Sequence, residues 1–140
     1  MSPTHVLDTS AILAHYFGEP GMEEISTLLI DRSNRIAVSA MTVTELKFRL
    51  LRDMEESSDA ENRISEYLSE LTVTIPVDRA LAELAWQLRV ATSGRLPLTD
   101  ALIAATARRF DAVLVHRDAH MSEIPPGLVK QLVLPGPAGG

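Results

Sequence analysis

The sequence predicts an α/β domain with a mainly parallel central sheet of about five strands, covered by helices on both faces. Two observations carry that expectation. Short apolar runs, several of them β-branched, alternate along the chain with longer stretches whose apolar residues recur at helical spacing, the order from which parallel sheets are built. Of the 140 residues, 46% are hydrophobic and 23% charged, the balance of a chain able to bury one continuous core.

His5-Val6-Leu7 is a short strand ending at Asp8, and Thr9 to Phe17 has helical spacing until Gly18-Glu19-Pro20-Gly21 stops it. Met22, Ile25, Leu28 and Leu29 give a second helix before the polar stretch Asp31 to Asn34, and Ile36-Ala37-Val38 follows as a strand. From Thr42 the apolar positions Val43, Leu46 and Leu50 share one face, predicting a third helix to about Met54. Asp53 to Asn62 is acidic and serine-containing and reads as a solvated corner, after which Ile64, Tyr67, Leu68 and Leu71 mark a fourth helix.

Thr72-Val73-Thr74-Ile75 alternates as a strand does. Asp78 stands as the N-cap of a fifth helix with Leu81, Leu84, Ala85 and Leu88 inward. Ser93 to Pro97 is a loop, and Thr99-Asp100 opens a sixth helix to about Phe110. Ala112 to Val115 is a fourth strand leading into His116-Arg117-Asp118, and Leu132 to Leu134 is the last. Residues 1–134 are therefore expected to form one domain, with 135–140, rich in Pro and Gly, as a flexible C-terminal tail.

Composition narrows the chemistry. There is no cysteine, which removes disulfides, thiolate metal sites and a cysteine nucleophile. The N-terminus lacks the pattern of a secretory signal, and the most apolar stretch, Ala101 to Ala107, falls far short of the ~20 residues that span a bilayer. The expectation is a cytoplasmic protein that does not enter a membrane. A formal net charge of -6 argues against a broad basic face for nucleic acid, but not against an enzyme that meets phosphates through a bound cation. Only Lys47 and Lys130 among the 13 basic residues are lysines.

In parallel sheets the functional crevice lies beyond the carboxyl ends of the strands. Asp8 follows the first strand directly, Asp118 follows the fourth by two residues, Glu45 lies early in the helix after the second strand, and Asp100 begins the helix that leads into the fourth. Each has a structural alternative. Asp8 can cap the first helix, Asp100 can favour a helix start by its charge, Thr42-x-x-Glu45 has capping-box spacing, and Asp118 suits a turn. Four acids at one rim would repel one another unless a hard divalent cation such as Mg²⁺ or Mn²⁺ compensates them, and such an ion is suited to phosphodiester hydrolysis.

The pattern Val6-Leu7-Asp8-Thr9-Ser10-Ala11-Ile12-Leu13, then Thr44-Glu45-Leu46, then Leu96-Pro97-Leu98-Thr99-Asp100-Ala101-Leu102-Ile103-Ala104-Ala105-Thr106-Ala107 resembles the PIN-domain nucleases, and more narrowly the VapC toxins of bacterial toxin-antitoxin pairs. The similarity runs from about His5 to Leu134. It implies a PIN-like three-layer α/β/α fold in which Asp8, Glu45, Asp100 and Asp118 hold one or two Mg²⁺ or Mn²⁺ ions. It also implies cleavage of an RNA phosphodiester by a metal-activated water, leaving a 5′-phosphate and a 3′-hydroxyl. Thr9 and Ser10 match hydroxyl residues beside the first Asp and take a supporting role. The family further implies a cognate antitoxin protein, with exposed apolar residues of the second to fourth helices as the place to look, and a homodimer.

Two residues depart from the pattern: His116 stands where relatives carry Thr or Ser, and Met121 where many carry Phe. His116 has three possible roles, donating to a phosphate, reaching the metal or filling space. Arg49, Arg52 and Arg95 are candidate RNA contacts, with solvated or salt-bridged roles preferred. Three other readings compete. A phosphatase of the haloacid dehalogenase type needs a second Asp where Ser10 stands, and a receiver domain needs a late lysine that Lys130 does not supply. The third is a PIN-like interaction module without catalysis, against which the presence of all four acids weighs.

Overall fold

The structure, a computed structural model, describes residues 2–52 and 58–136. Strands β1 (His5–Leu7), β2 (Ile36–Ser39), β3 (Val73–Ile75), β4 (Val113–His116) and β5 (Gln131–Val133) form one sheet in the order β3-β2-β1-β4-β5, with every pairing parallel. Between them run α1 (Thr9–Phe17), α2 (Met22–Ile30), α3 (Ala40–Leu51), α4 (Ser58–Ser65), α5 (Arg79–Ala91), α6 (Leu98–Arg109) and α7 (Ala119–Ser122). Chain order moves outward from β1 to β3 on one side and resumes at β4 on the other. The reversal falls between β1 and β4, so the crevice beyond their carboxyl ends is where a ligand site is expected.

The period of two along each strand sorts side chains into two cores. In register, Val6 stands beside Ala37 and Leu114, and these three pack against α5 and α6 through Leu81, Leu88, Ile103 and Ala104. Leu7 and Val115, with Ile36 and Val38, face the opposite way onto Ile12, Ile25, Leu46 and Tyr67. This makes the three layers. On α6, Ala101, Ala104, Ala105 and Ala107 are all buried, and their small side chains let the helix lie close to both the sheet and α5. Truncating a large buried residue such as Leu7 or Leu114 to Ala in a core packed this way costs about 2–5 kcal/mol.

Most element boundaries agree with the sequence reading to within two residues, and the differences have local causes. The third helix starts at Ala40 rather than Thr42, because Ser39 Oγ caps it by accepting from Met41 N at 3.1 Å. The fourth begins at Ser58, inside the stretch expected to be a corner, and continues as a π-helical segment, Glu66–Leu71. Residues 53–57 of that corner and 53–54 of the third helix lie outside the described residues, as do 137–140 of the tail. The last strand is shifted by one residue, leaving Leu134 buried beyond it with its N–H on the His116 carbonyl at 2.7 Å. The one-turn helix α7 was not expected. At Gly18 the chain takes φ +64 to close α1, a conformation glycine adopts without steric cost.

Among the described residues no helix is long and apolar enough to cross a membrane.

Candidate metal centre

Asp8 leaves β1 and caps α1, so its carboxylate is set by the same backbone turn that starts the helix. It accepts from Ala11 N at 2.8 Å and from Ser10 Oγ at 2.7 and 2.8 Å. Ser10 Oγ in turn accepts from the N–H of Arg117 at 3.1 Å, which ties the loop carrying Asp118 to the Asp8 turn. Asp8 is only 3% exposed. Burial pushes its pKa up to about 7, and the charges of Asp118 and Asp100 add to the effect while the Ser10 and Ala11 hydrogen bonds oppose it.

Asp118 leaves β4 and caps α7, its Oδ1 accepting from His120 N at 2.7 Å and Met121 N at 3.1 Å. The backbone N–H of Asp118 donates to His116 Nδ1 at 3.0 Å, while His116 Nε2 lies 2.8 Å from Gln131 Oε1. A ring nitrogen that accepts from a backbone N–H carries no proton, so the proton of His116 sits on Nε2 and is donated to Gln131. Burial lowers the His116 pKa, in keeping with a neutral ring. The ring is fully buried with both nitrogens engaged. Of the roles left open by the sequence, phosphate donor and metal ligand do not fit; His116 fills core space and props the backbone of Asp118.

Asp100 is the third residue of α6, whose N-cap Pro97 makes no side-chain cap bond. Burial, then the charges of Asp118 and Glu45, raise its pKa to about 6, with His120 opposing. Glu45 projects from α3 and its Oε1 accepts from Thr9 Oγ1 at 2.6 Å. The capping-box alternative for Glu45 fails because α3 is capped by Ser39 and Thr42 lies inside the helix. The charges of Asp100 and Asp118 act on Asp8, and those of Asp118 and Glu45 act on Asp100, so the four acids form one electrostatic group; Thr9 donates to Glu45 and Ser10 to Asp8.

His120, which the sequence does not single out, joins two of these acids. One ligand atom from each of Asp100, Asp118 and His120 lies within 4.8 Å of the others. The available signal was the Asp118-x-His120 spacing after a strand, whose meaning depends on the unforeseen helix α7. Among the described residues no lysine or arginine pairs with Asp8, Glu45, Asp100 or Asp118. Four acids with no lysine or arginine partner, and the His120 imidazole beside two of them, form a donor set suited to a divalent cation.

Three arginines have partners outside the acidic group. Arg117 pairs with Glu19 at the α1–α2 corner. Arg49 lies over the Phe17 ring at 5.6 Å and Arg52 over Phe48 at 5.0 Å; Arg95 is exposed in the loop before α6. The phosphatase and receiver-domain readings gain no residue: Ser10, where the phosphatase needs an acid, donates to Asp8, and Lys130 pairs with Asp111 at 3.1 Å.

The family model for the PIN domain matches residues 5–125. Over 107 residues the chain is 35% identical to Ribonuclease VapC8 of Mycobacterium tuberculosis, an alignment covering 73% of this chain and 88% of that protein. Among solved structures it is similar to VapBC2 from Rickettsia felis bound to a promoter DNA fragment, with a TM-score of 0.77, 18% identity, and coverage of 94% of this chain and 98% of that one. It is likewise similar to VapBC-5 of Mycobacterium tuberculosis, a member of the VapBC family of toxin-antitoxin systems, with a TM-score of 0.66, 25% identity, and coverage of 96% and 100%.

Proposed function

The chain belongs to the PIN-domain family, and from that premise we propose that it is the endoribonuclease toxin of a VapBC-type toxin-antitoxin pair, hydrolysing RNA phosphodiesters at Asp8, Glu45, Asp100 and Asp118 with Mg²⁺ or Mn²⁺. The observation that carries this reading is the convergence of acids without a lysine or arginine partner near the β1/β4 switch point, two of them with raised pKa values of about 7 and about 6. Such values mark sites built for a bound charge or for proton transfer.

Asp8, Asp100 and Asp118, with Glu45 at the edge of the group, would hold the ion. Once bound, it would neutralise the crowded carboxylates, lower the pKa of a water and take up charge developing on the scissile phosphate. The chain's own contribution is rigidity. Ser10 and Ala11 fix Asp8, Thr9 fixes Glu45, and the α7 turn and His116 fix Asp118, so the donors need little reorganisation when the substrate arrives.

A homodimer would cover the exposed Trp86, Val90 and Leu98 on α5 and α6, next to Asp100. An antitoxin has exposed apolar side chains available at Ile30 on α2 and Phe48 on α3, where the resemblance places it.

The experiment is cleavage of a mixed RNA panel by protein purified free of any partner, with Mg²⁺, Mn²⁺ or EDTA, beside an Asp100→Asn variant. Cleavage that requires metal and is lost in the variant is expected. Cleavage that persists in EDTA, or in Asp100→Asn at the wild-type rate, would overturn the assignment.

A further inference from the structure

We propose that His120 is a nitrogen ligand of the ion held by Asp100 and Asp118, and that it tilts this centre toward Mn²⁺ over Mg²⁺. The inference rests on the metal-centre reading above and adds a donor of a different kind to it.

The geometry starts from the backbone. Asp118 caps α7 by accepting from the N–H of His120 at 2.7 Å, so the carboxylate and the imidazole two residues on are set by one turn. Met121, the next residue, is fully buried and anchors that turn in the core. His120 is left at the rim with its side chain 52% exposed, its Nδ1 3.6 Å from Asp118 Oδ1. That separation is longer than a hydrogen bond. Two donors each about 2.1 Å from one ion can stand up to about 4.2 Å apart, so it is within the reach of a shared ion. Asp100 brings a third donor within 4.8 Å from the start of α6.

The other histidines have different work. His116 is buried with both ring nitrogens bonded, His15 lies between Tyr67 and Ser26, and His5 is beside Thr4. His120 is the ring offered to the acids. Its chemistry sets the preference: Mg²⁺ takes oxygen donors and keeps its waters, whereas imidazole suits transition ions.

The test uses untagged full-length protein with the bare ions as probes. Pulsed electron paramagnetic resonance of bound Mn²⁺ is expected to show nitrogen-14 modulation in the wild type and none in His120→Ala. By calorimetry the variant should bind Mn²⁺ about tenfold more weakly while its Mg²⁺ affinity stays within about twofold. Asp100→Asn, losing both ions, would place the binding at this centre. Wild-type protein that binds Mn²⁺ without nitrogen coupling, or a His120→Ala variant that loses both ions equally, would overturn the role of His120 and leave the acidic centre standing. Wild-type protein that binds neither ion would overturn both.

Discussion

Asp8 and Asp78 do the same local job and end in opposite electrostatic states. Each precedes a helix and caps it by accepting the N–H three residues on, Ala11 at 2.8 Å and Leu81 at 3.0 Å. At Asp78 the Leu81 N–H and then Arg109 hold the carboxyl below the usual carboxylate range, with the guanidinium 2.9 Å away. At Asp8 burial outweighs the cap bond and the carboxyl rises to about 7 among other acids. One helix serves both places, since α6 carries Asp100, whose charge acts on Asp8, in its first turn and ends with Arg109 on Asp78. The electrostatic state of a capping aspartate is therefore set by the company it keeps, a guanidinium at Asp78 and other acids at Asp8.

The sharpest way to break that comparison is to neutralise each cap in turn. Asparagine still caps a helix, so Asp8→Asn and Asp78→Asn both keep the local turn. Metal-dependent RNA cleavage is expected to fall by about a thousandfold in Asp8→Asn, and to stay within about twofold in Asp78→Asn. Equal losses in steady-state cleavage assays would show that the two caps are not functionally distinct.

A smaller effect should follow from loosening the props around the acids while keeping every carboxylate. Thr9→Val removes the donor on Glu45, and His116→Leu removes the acceptor for the Asp118 N–H. Outer-shell losses of this kind cost about 10–100-fold in activity or metal affinity. His116→Asn, whose amide oxygen can stand where Nδ1 does, should recover most of the loss. Cleavage rate and Mn²⁺ affinity, measured together, separate this positioning role from simple unfolding, which would lower the melting temperature of Leu and Asn variants alike.

The parts of the molecule that were legible in the sequence are those whose signal is periodic or local. The strands alternate, and helices α1, α2, α5 and α6 carry apolar residues at helical spacing. Asp8 and Asp100 stand at element boundaries that the spacing reveals. What was hidden depends on contacts across the fold. Ser39 rather than Thr42 caps α3 because the strand runs one residue further than its apolar run suggests. Helix α7 is a single turn and too short to show a period. His116 is a polar residue in a core position, and only its pairing with Gln131 on β5, fifteen residues away in the chain, shows what it does. His120 gains meaning only once Asp118 is seen to cap the turn that carries it.

A last expected effect concerns stability without metal, and there the two caps should part in sign. In the unfolded chain a carboxyl ionises near 3.8, whereas the fold holds the proton on Asp100 to about 6 and on Asp8 to about 7. The stability linked to these protons is complete below the unfolded value and is lost as pH rises through the folded values. In EDTA the melting temperature should therefore decline between about pH 4 and about pH 7 as these two groups ionise. Asp78, whose carboxyl is held low, contributes in the other direction: its share is present above the ordinary carboxylate value and is lost only on further acidification. Asp8→Asn, which needs no ionisation, should flatten most of the decline and melt above the wild type at about pH 8, while Asp78→Asn should leave the slope in place and melt below it. Circular dichroism melts across that pH range decide the matter. A wild-type melting temperature that does not fall, or an Asp8→Asn variant less stable than wild type at high pH, would mean that the acids at the switch point carry no strain for a cation to relieve.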